Sequence, residues 1–455
     1  MRSRLILHRQ ASSEGDGAMR KVLEQKVFDR RRVDLMQLMG SGVVVVPTSA
    51  VRRRSNDTEF PFRPDSDFYY LSGFPEPEAV LVLAPGRAAG EYLIFCRERD
   101  QEHETWHGRR EGLEGVLERF NADDAFPIDD IDQILPGILE GQEKIYTNVG
   151  RYPEFDARIL GWLNRIKKSS RSGISAPYEL VDLSHILHEQ RLLKQTEEVR
   201  VMKIAAKATA AGHTRAMQVC EPGMWEYEVR AELECEFQKA GSQIPAYSSI
   251  VAGGDNACIL HYVDCNQQLK DGDLLLIDAG AEVDCYACDV TRTFPVNGKF
   301  SHEQKTVYEI VLAAQQAAID KSISGNHWNE PHEAAVKVLT QGLLDIGLLD
   351  GELNEVIEAE LYKRFYMHRT GHWLGMDVHD VGDYKVEGEW RAFEPGMTFT
   401  VEPGLYIAAA PDIDPRWHNI GIRIEDNVLI QRKGNTVLTE AMPKSVSTIE
   451  RLMAE

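Results

Sequence analysis

The segment LLLIDAGAEVDCYACDVTRTF, residues 274–294, decides the fold of the C-terminal half of the chain. Its first four residues are apolar and run directly into Asp278, which predicts a buried strand over 274–277 with a carboxylate at its end. Residues 289–294 alternate in the manner of a half-buried strand, and a second strand carrying Asp289 is predicted over 286–294. Because a buried, unpaired carboxylate is costly, protons, basic side chains or metal ions must compensate these two acids.

Two further acids occupy similar positions nearer the C-terminus. Glu402 follows a predicted strand over 398–401 and precedes Pro-Gly, while Glu425 lies in a predicted strand over 420–430. Side-chain alternation places Gly421, Arg423 and Glu425 on one face of that strand. Taken singly, each acid is more simply explained as a turn, capping or surface residue. Their joint occurrence in apolar, glycine-bounded stretches favours a common site.

Histidines supply neutral ligands to complement these acids. The stretch HRTGHWLGMDVH, residues 368–379, contains His368, His372 and His379, and His261 stands apart in ILHY. Carboxylates together with an imidazole suit Mn²⁺, Fe²⁺, Co²⁺ or Zn²⁺. Two divalent cations would balance four carboxylates, so the set predicts a two-metal site.

The two halves of the chain differ in their sequence patterns. Short apolar runs at 43–46, 80–83 and 92–95 predict strands that are covered on both faces. After about residue 190 helical patterns predominate, with predicted spans 199–219, 224–240, 302–323, 331–346 and 355–365, the first of them capped by Thr196. We therefore expect a flexible extension over 1–20, a smaller N-terminal α/β domain over 21–190 and an α+β catalytic domain over 195–455.

Composition narrows the class of protein. The chain has 51 Lys and Arg residues against 72 Asp and Glu, a net charge of −21, which argues against a nucleic-acid partner. No apolar run approaches the roughly 20 residues of a membrane span, and no secretory signal pattern is found. A cytoplasmic protein without a membrane partner is expected. Seven scattered cysteines are predicted to be free thiols.

The motifs also carry a family resemblance. IDAGAEVDCYACDVTRTFPVNGKF, HWLGMDVHD, TVEPGLYI and GIRIEDN resemble, in order and spacing, the motifs of the pita-bread metallopeptidases. SDFYYLSGFPEPEAVLVL and SIVAGGDNACILHY are similar to the aminopeptidase P branch of that family, so the resemblance extends from about Val27 onward. It implies a C-terminal pita-bread catalytic domain that is preceded by an N-terminal α/β domain.

The resemblance implies a role for each metal ligand. Asp278 would bind one ion, while Asp289 and Glu425 would bridge two. His372 and Glu402 would complete the coordination of the other ion, and Glu402 would also relay a proton. The family usually uses Mn²⁺, a choice that the hardness of these ligands supports.

The resemblance also implies the residues that contact substrate. His261 and His379 would donate hydrogen bonds to the peptide and to the tetrahedral intermediate. His368 and Tyr406 would line the proline region, and Arg423 would close the bottom of the site.

The implied function is hydrolysis of the N-terminal Xaa-Pro bond of peptides through a metal-bridging hydroxide, in a homo-oligomer that is a dimer or a tetramer. One alternative is a prolidase, which cleaves Xaa-Pro dipeptides only; Arg369, where relatives usually carry glycine, leaves the preferred peptide length open. Another alternative is a pita-bread protein that binds a ligand without catalysis, but such relatives generally lose their metal ligands.

Overall fold

The computed structural model describes residues 22–455, and the predicted extension over 1–20 lies outside them. The helices of the N-terminal part are α1 (Gln25–Met39), α2 (Ser66–Ser72), α3 (Gln101–His107), α4 (Gly112–Phe120), α5 (Ile131–Leu139), α6 (Pro153–Lys168) and α7 (Ser184–Leu192). Its strands are β1 (Val43–Pro47), β2 (Val80–Leu83), β3 (Tyr92–Cys96), β4 (Asp124–Pro127), β5 (Lys144–Thr147) and β6 (Glu179–Asp182).

These strands form one mixed sheet in the order β4-β3-β2-β1-β5-β6. Strand β2 runs antiparallel to its neighbours β1 and β3, whereas the remaining pairs are parallel. Along β1, Val44 and Val46 pack in the cluster that contains α1, while Val43 and Val45 pack in the cluster that contains α5 and α6. Both faces of this sheet are therefore covered, as the apolar runs predict.

The second part of the chain contains longer helices and short antiparallel strands. The helices are α8 (Thr196–Val219), α9 (Glu226–Lys239), α10 (His302–Lys321), α11 (Glu330–Asp345), α12 (Leu353–Glu358) and α13 (Val446–Met453). The strands are β7 (Ile250–Gly253), β8 (Leu274–Asp278), β9 (Glu282–Val283), β10 (Tyr286–Ala287), β11 (Thr291–Pro295), β12 (Lys385–Val386), β13 (Glu389–Trp390), β14 (Thr398–Val401), β15 (Gly404–Ile407), β16 (Ile420–Arg423), β17 (Asp426–Ile430) and β18 (Asn435–Val437).

Two three-stranded antiparallel sheets, β11-β8-β7 and β14-β17-β18, form the centre of this part, with β15 and β16 paired beside them. Helices α8 to α11 contribute to the apolar core that these sheets share. This arrangement matches the predicted α+β class. The predicted division near 190–195 falls between the end of α7 and the start of α8, and the domain boundaries stay a prediction.

Three predicted elements are interrupted in the structure, and the start of helix α8 differs from the predicted one. The predicted helix over 355–365 breaks because Glu360 adopts a left-handed conformation, with φ of 53°, before a 3₁₀ turn. The predicted strand over 286–294 divides around Asp289, and the one over 420–430 divides at Glu425. Helix α8 is capped one residue earlier than predicted, because the backbone N–H of Gln195 donates to Glu198 Oε2 at 2.9 Å.

Within residues 22–455, no helix combines the length and the apolar character needed to cross a bilayer. All seven cysteines lie in this range and are unpaired, which confirms the prediction of free thiols.

Candidate metal centre

Two antiparallel strands bring the first pair of acids together. Asp278, at the end of β8, pairs with Thr291 at the start of β11, two residues beyond Asp289. The connecting segment approaches closely because Gly280 has no side chain: a Cβ there would lie 1.6 Å from the carbonyl oxygen of Cys288. Gly280, two residues after Asp278, is therefore required, because a side chain there would prevent the close approach that brings Asp278 and Asp289 together.

Glu425 reaches the same point from the break between β16 and β17. Its backbone N–H donates to the Thr291 carbonyl at 3.1 Å, and its Oε2 accepts from Thr291 Oγ1 at 2.8 Å. Thr291 Oγ1 also accepts from Arg423 Nε at 3.0 Å. Arg423 and Glu425 therefore share a face, as alternation predicts, even though the strand ends between them. Arg423 Nη2 pairs with Asp278 Oδ2 at 2.6 Å.

His372 and Glu402 complete the cluster from the loop beside β14. The loop lies close to this strand because Gly371 has no Cβ, which would meet the Thr400 carbonyl oxygen at 2.0 Å. His372 Nδ1 donates to the carbonyl of the following residue at 3.0 Å. This leaves His372 Nε2 facing Asp289 Oδ2 at 3.3 Å and Glu402 Oε1 at 3.7 Å.

The acids of this cluster are hard to ionise together. Burial, with repulsion from neighbouring carboxylates, raises the pKa of Glu402 to about 7 and holds the pKa of Glu425 well above its usual range. Burial likewise raises the pKa of Asp278. Burial alone would raise the pKa of Asp289 and lower the pKa of His372, but the contact between these two side chains outweighs the effect of burial. That contact lowers the pKa of Asp289 and raises the pKa of His372 to about 9.

This donor set fits divalent cations. One ligand atom each from Asp289, His372 and Glu425 lie within 4.8 Å of one another, and Asp278 and Glu402 flank them. Added positive charge would relieve the repulsion that the buried carboxylates suffer. Carboxylate oxygens with one imidazole are ligands of the kind that first-row divalent ions accept.

A cavity of about 910 Å³ opens beside the cluster. Its wall contains the five predicted ligands and the predicted substrate residues His261, His368, His379 and Arg423. The rest is largely apolar and includes Ile250, Leu260, Val263, Trp328, Val378 and Trp390. The ring of His379 lies 4.3 Å from that of His372, centroid to centroid.

Tyr406, predicted to line the substrate region, lies behind the wall instead. It is buried, and its hydroxyl accepts from Arg423 Nη1 at 2.9 Å and contacts His368 Nε2 at 2.9 Å. Burial and the charge of Arg423 lower the pKa of His368 to about 3, so its ring is neutral. His368 Nδ1 donates to the Arg369 carbonyl at 2.7 Å, and Nε2 consequently accepts from Tyr406. Both ring nitrogens are occupied, which leaves the ring surface of His368 for the cavity.

Tyr247 also belongs to the site, although no sequence pattern predicts it. Its hydroxyl lies 2.6 Å from Asp278 Oδ1 and 2.5 Å from Asp289 Oδ1, and it forms part of the cavity wall. Burial, with the charge of these two carboxylates, holds the pKa of Tyr247 well above its usual range, so the phenol is protonated. The residue precedes β7 in a run of small residues, AYSS, which shows neither a motif nor a period.

Buried carboxylates and an imidazole that converge on one cavity are typical of metal-dependent enzymes, two-metal hydrolases among them. Residues 200–432 match the model of "Metallopeptidase family M24". Residues 28–146 match "Aminopeptidase P, N-terminal domain". The chain belongs to metallopeptidase family M24, and the predicted family and fold class are confirmed.

Similarity to individual proteins extends over nearly the whole chain. The chain is 42% identical to the Xaa-Pro aminopeptidase of Haemophilus influenzae, over 96% of this chain and 98% of that one. It is 41% identical to the Xaa-Pro aminopeptidase of Escherichia coli, over 95% of this chain and 98% of that one. The solved structure of Pseudomonas aeruginosa aminopeptidase PepP has a TM-score of 0.94 at 55% identity, covering 95% and 98%. A structure of aminopeptidase P from E. coli with the inhibitor Pro-Leu has a TM-score of 0.92 at 40% identity, again covering 95% and 98%.

Proposed function

We propose that this chain is a two-metal aminopeptidase that releases the first residue of peptides whose second residue is proline. The observation that carries the proposal is the convergence of four carboxylates and His372 on the wall of one largely apolar cavity. Relatives that match over nearly their full length are named Xaa-Pro aminopeptidases. The dipeptide Pro-Leu, an inhibitor of the E. coli protein, begins with proline, as does the product that such a cleavage would leave.

The proposed ligand roles are those that the family resemblance implies. Asp289 and Glu425, at the centre of the cluster, would bridge two ions; Asp278 would bind one of them. His372 and Glu402 would bind the other. When bound, the ions would supply a water of lowered pKa and polarise the scissile carbonyl.

The other groups of the site would bind peptide and move protons. Glu402 lies on the cavity wall, where it would relay a proton taken from water to the leaving proline nitrogen, as the resemblance implies. His261 and His379 stand on the wall, where they can donate hydrogen bonds to the carbonyl oxygen as charge develops. An Xaa-Pro amide has no N–H, so recognition of proline depends on apolar contact with the wall rather than on strand-like pairing.

Ion identity, assembly and location are part of the same proposal. Mn²⁺ is the proposed ion because the ligands are oxygen-rich. A cytoplasmic homodimer or homotetramer is proposed; the side chain of Trp106, 79% exposed, is the kind of surface aromatic that an interface would cover. Sedimentation at several protein concentrations tests the assembly, and a monomer at all concentrations would contradict it.

A substrate panel tests the reaction itself. With Mn²⁺ added, we expect turnover of Xaa-Pro-Xaa tripeptides and little turnover of matched Xaa-Ala-Xaa tripeptides. Exclusive cleavage of Xaa-Pro dipeptides would instead establish the prolidase alternative, which Arg369 on the cavity wall keeps open. A protein that retains no divalent ion after reloading and hydrolyses none of these peptides would favour a binding role.

A further inference from the structure

A buried cluster of charges joins the N-terminal sheet region to the loop that carries His372 and His379. Its centre is Arg191 of α7, whose side chain is 1% exposed. Arg191 Nη1 donates to Asp67 Oδ1 of α2 at 2.6 Å. Arg191 Nη2 donates to Asp377 Oδ2 at 2.8 Å and to Asp380 Oδ1 at 2.6 Å. One guanidinium thus spans three carboxylates from two parts of the chain.

Lys194 completes the same cluster on the side that faces the loop 372–380. Lys194 Nζ donates to Asp380 Oδ2 at 2.8 Å, and both side chains are 1% exposed. Gly375 packs tightly here, since a Cβ would lie 2.0 Å from Asp380 Oδ2 and 2.7 Å from Lys194 Cε. Charged groups this deeply buried are stable only in the geometry that pairs them, so they fix the loop strongly.

A short chain of hydrogen bonds connects this cluster to the metal ligand. The backbone N–H of Asp380 donates to the Trp373 carbonyl at 2.9 Å. His372 Nδ1 donates to the same carbonyl at 3.0 Å, which sets the direction of Nε2. His379 immediately precedes Asp380 in the chain. The position of Asp380 therefore constrains the orientation of one proposed ligand and one proposed substrate donor.

We propose that Arg191 is a positioning residue for the active site, which fixes the loop 372–380 by bridging Asp67 to Asp377 and Asp380. The inference rests on the proposed function for the roles of His372 and His379, although the coupling itself does not. Lysine cannot replace this arginine, because a single ammonium lacks the planar fork that reaches three carboxylates. Outer partners that orient metal ligands typically affect metal affinity by about 10–100-fold.

The test compares Arg191→Lys with Arg31→Lys as a matched control. Arg31 is equally buried and pairs with Glu198 at 3.2 Å, and its other hydrogen bonds go to the Tyr70 carbonyl and the Tyr286 hydroxyl rather than to the loop 372–380. Hydrogen–deuterium exchange is measured on the metal-free proteins, and Mn²⁺ affinity is measured by calorimetric titration. We expect Arg191→Lys to accelerate exchange in 372–380 and to weaken Mn²⁺ binding about 10–100-fold. Arg31→Lys should change neither the exchange of 372–380 nor the Mn²⁺ affinity, even if its melting temperature differs from that of the wild type.

Asp67→Asn is a second variant, because it alters the anchor on α2 without touching the loop. If Arg191→Lys does not fold, faster exchange of 372–380 in Asp67→Asn supports the coupling. Wild-type exchange and Mn²⁺ affinity in either folded variant would overturn it, as would equal changes in Arg31→Lys. Failure to cleave Xaa-Pro peptides would refute the proposed function alone, since exchange and metal titration require no substrate.

Discussion

At the scale of single residues, the site gathers carboxylates that repel one another and that His372 and Arg423 only partly compensate. Asp289 lies at the centre of the cluster, within reach of His372, Tyr247 and the acid Asp278 on the neighbouring strand. Removing Asp289 also deprives His372 of its charged partner, so the effect exceeds the loss of one ligand. This non-additivity separates ligands from residues that only contact the peptide.

The substitution Asp289→Asn should reduce activity by more than about 100-fold and lower the metal content of the purified protein, because a central ligand loses its charge. Metal per chain and turnover are measured on the same sample. Asp264→Asn, at an exposed aspartate, is the matched control and should change neither. Full metal content with full activity in Asp289→Asn would refute the bridging role.

His261→Ala should behave differently, because its imidazole is assigned to the substrate. We expect wild-type metal content and a fall in kcat of about 100-fold, the scale for one lost hydrogen-bond donor to a developing oxyanion. Steady-state kinetics at saturating Mn²⁺ measures this, with the exposed His302→Ala as control. Loss of metal in His261→Ala would show that the residue has been given the wrong role.

At the scale of helices and strands, local pattern predicts most of the architecture and little of the detail at the site. The apolar run over 274–277 was enough to predict β8, and the glycines after the acids mark where the backbone packs too closely for a side chain. The strands over 286–294 and 420–430 break at Asp289 and Glu425, because hydrogen bonds to other segments replace regular pairing there. Alternation alone does not predict such breaks.

The positions of Tyr247 and Arg191 could not be predicted for a related reason. Tyr247 contacts acids 31 and 42 residues away. Arg191 contacts partners up to 189 residues away. Contacts over such separations are set by tertiary packing, which no local period encodes. The burial of Tyr406 against His368 and Arg423 is not predictable either, because sequence cannot tell a contact with substrate from a contact with a neighbouring side chain.

Helix α8 contacts the residue that follows β8 through a buried histidine, and the burial of this histidine makes stability depend on pH. His213 Nε2 donates to the Ala279 carbonyl at 3.0 Å. Burial lowers the pKa of His213 from 6.5 to about 4. Between these values the unfolded chain binds the proton more readily than the folded one. This contribution to the free energy of unfolding is therefore complete above about pH 6.5 and falls as the pH drops toward 4, by roughly 3 kcal/mol in all.

Replacing His213 tests its contribution to the pH dependence of the free energy of unfolding. The free energy of unfolding of His213→Gln, measured by urea titration, should fall less steeply than that of the wild type between pH 6.5 and 4. His302→Gln, at an exposed position, should keep the wild-type slope. Parallel pH profiles for His213→Gln and the wild type would exclude this role for His213.

At the scale of the whole molecule, metal and fold are linked through the ligand cluster. The cluster draws its proposed ligands from β8, from the segment before β11, from the loop beside β14 and from the break between β16 and β17. An ion held there favours the folded chain over the unfolded one. The stabilisation is about 2.7 kcal/mol when the free ion is at 100 times its Kd.

Chelation should therefore lower the melting temperature, and Mn²⁺ should restore it in a concentration-dependent manner. Scanning calorimetry with and without a chelator measures the shift. The double variant Asp289→Asn/Glu425→Gln should melt at the same temperature with or without Mn²⁺. A melting temperature that Mn²⁺ leaves unchanged in the wild type would contradict metal binding at the cluster.

The spread of the ligands along the chain has a consequence for biosynthesis. Asp278 and Glu425 are distant in sequence and meet only when β8, β11 and β16 have assembled. A nascent polypeptide still held by the ribosome cannot complete the cage before translation passes Glu425. The proposed hydrolysis therefore requires synthesis through Glu425, so a ribosome-bound chain that ends before that residue has no complete active site.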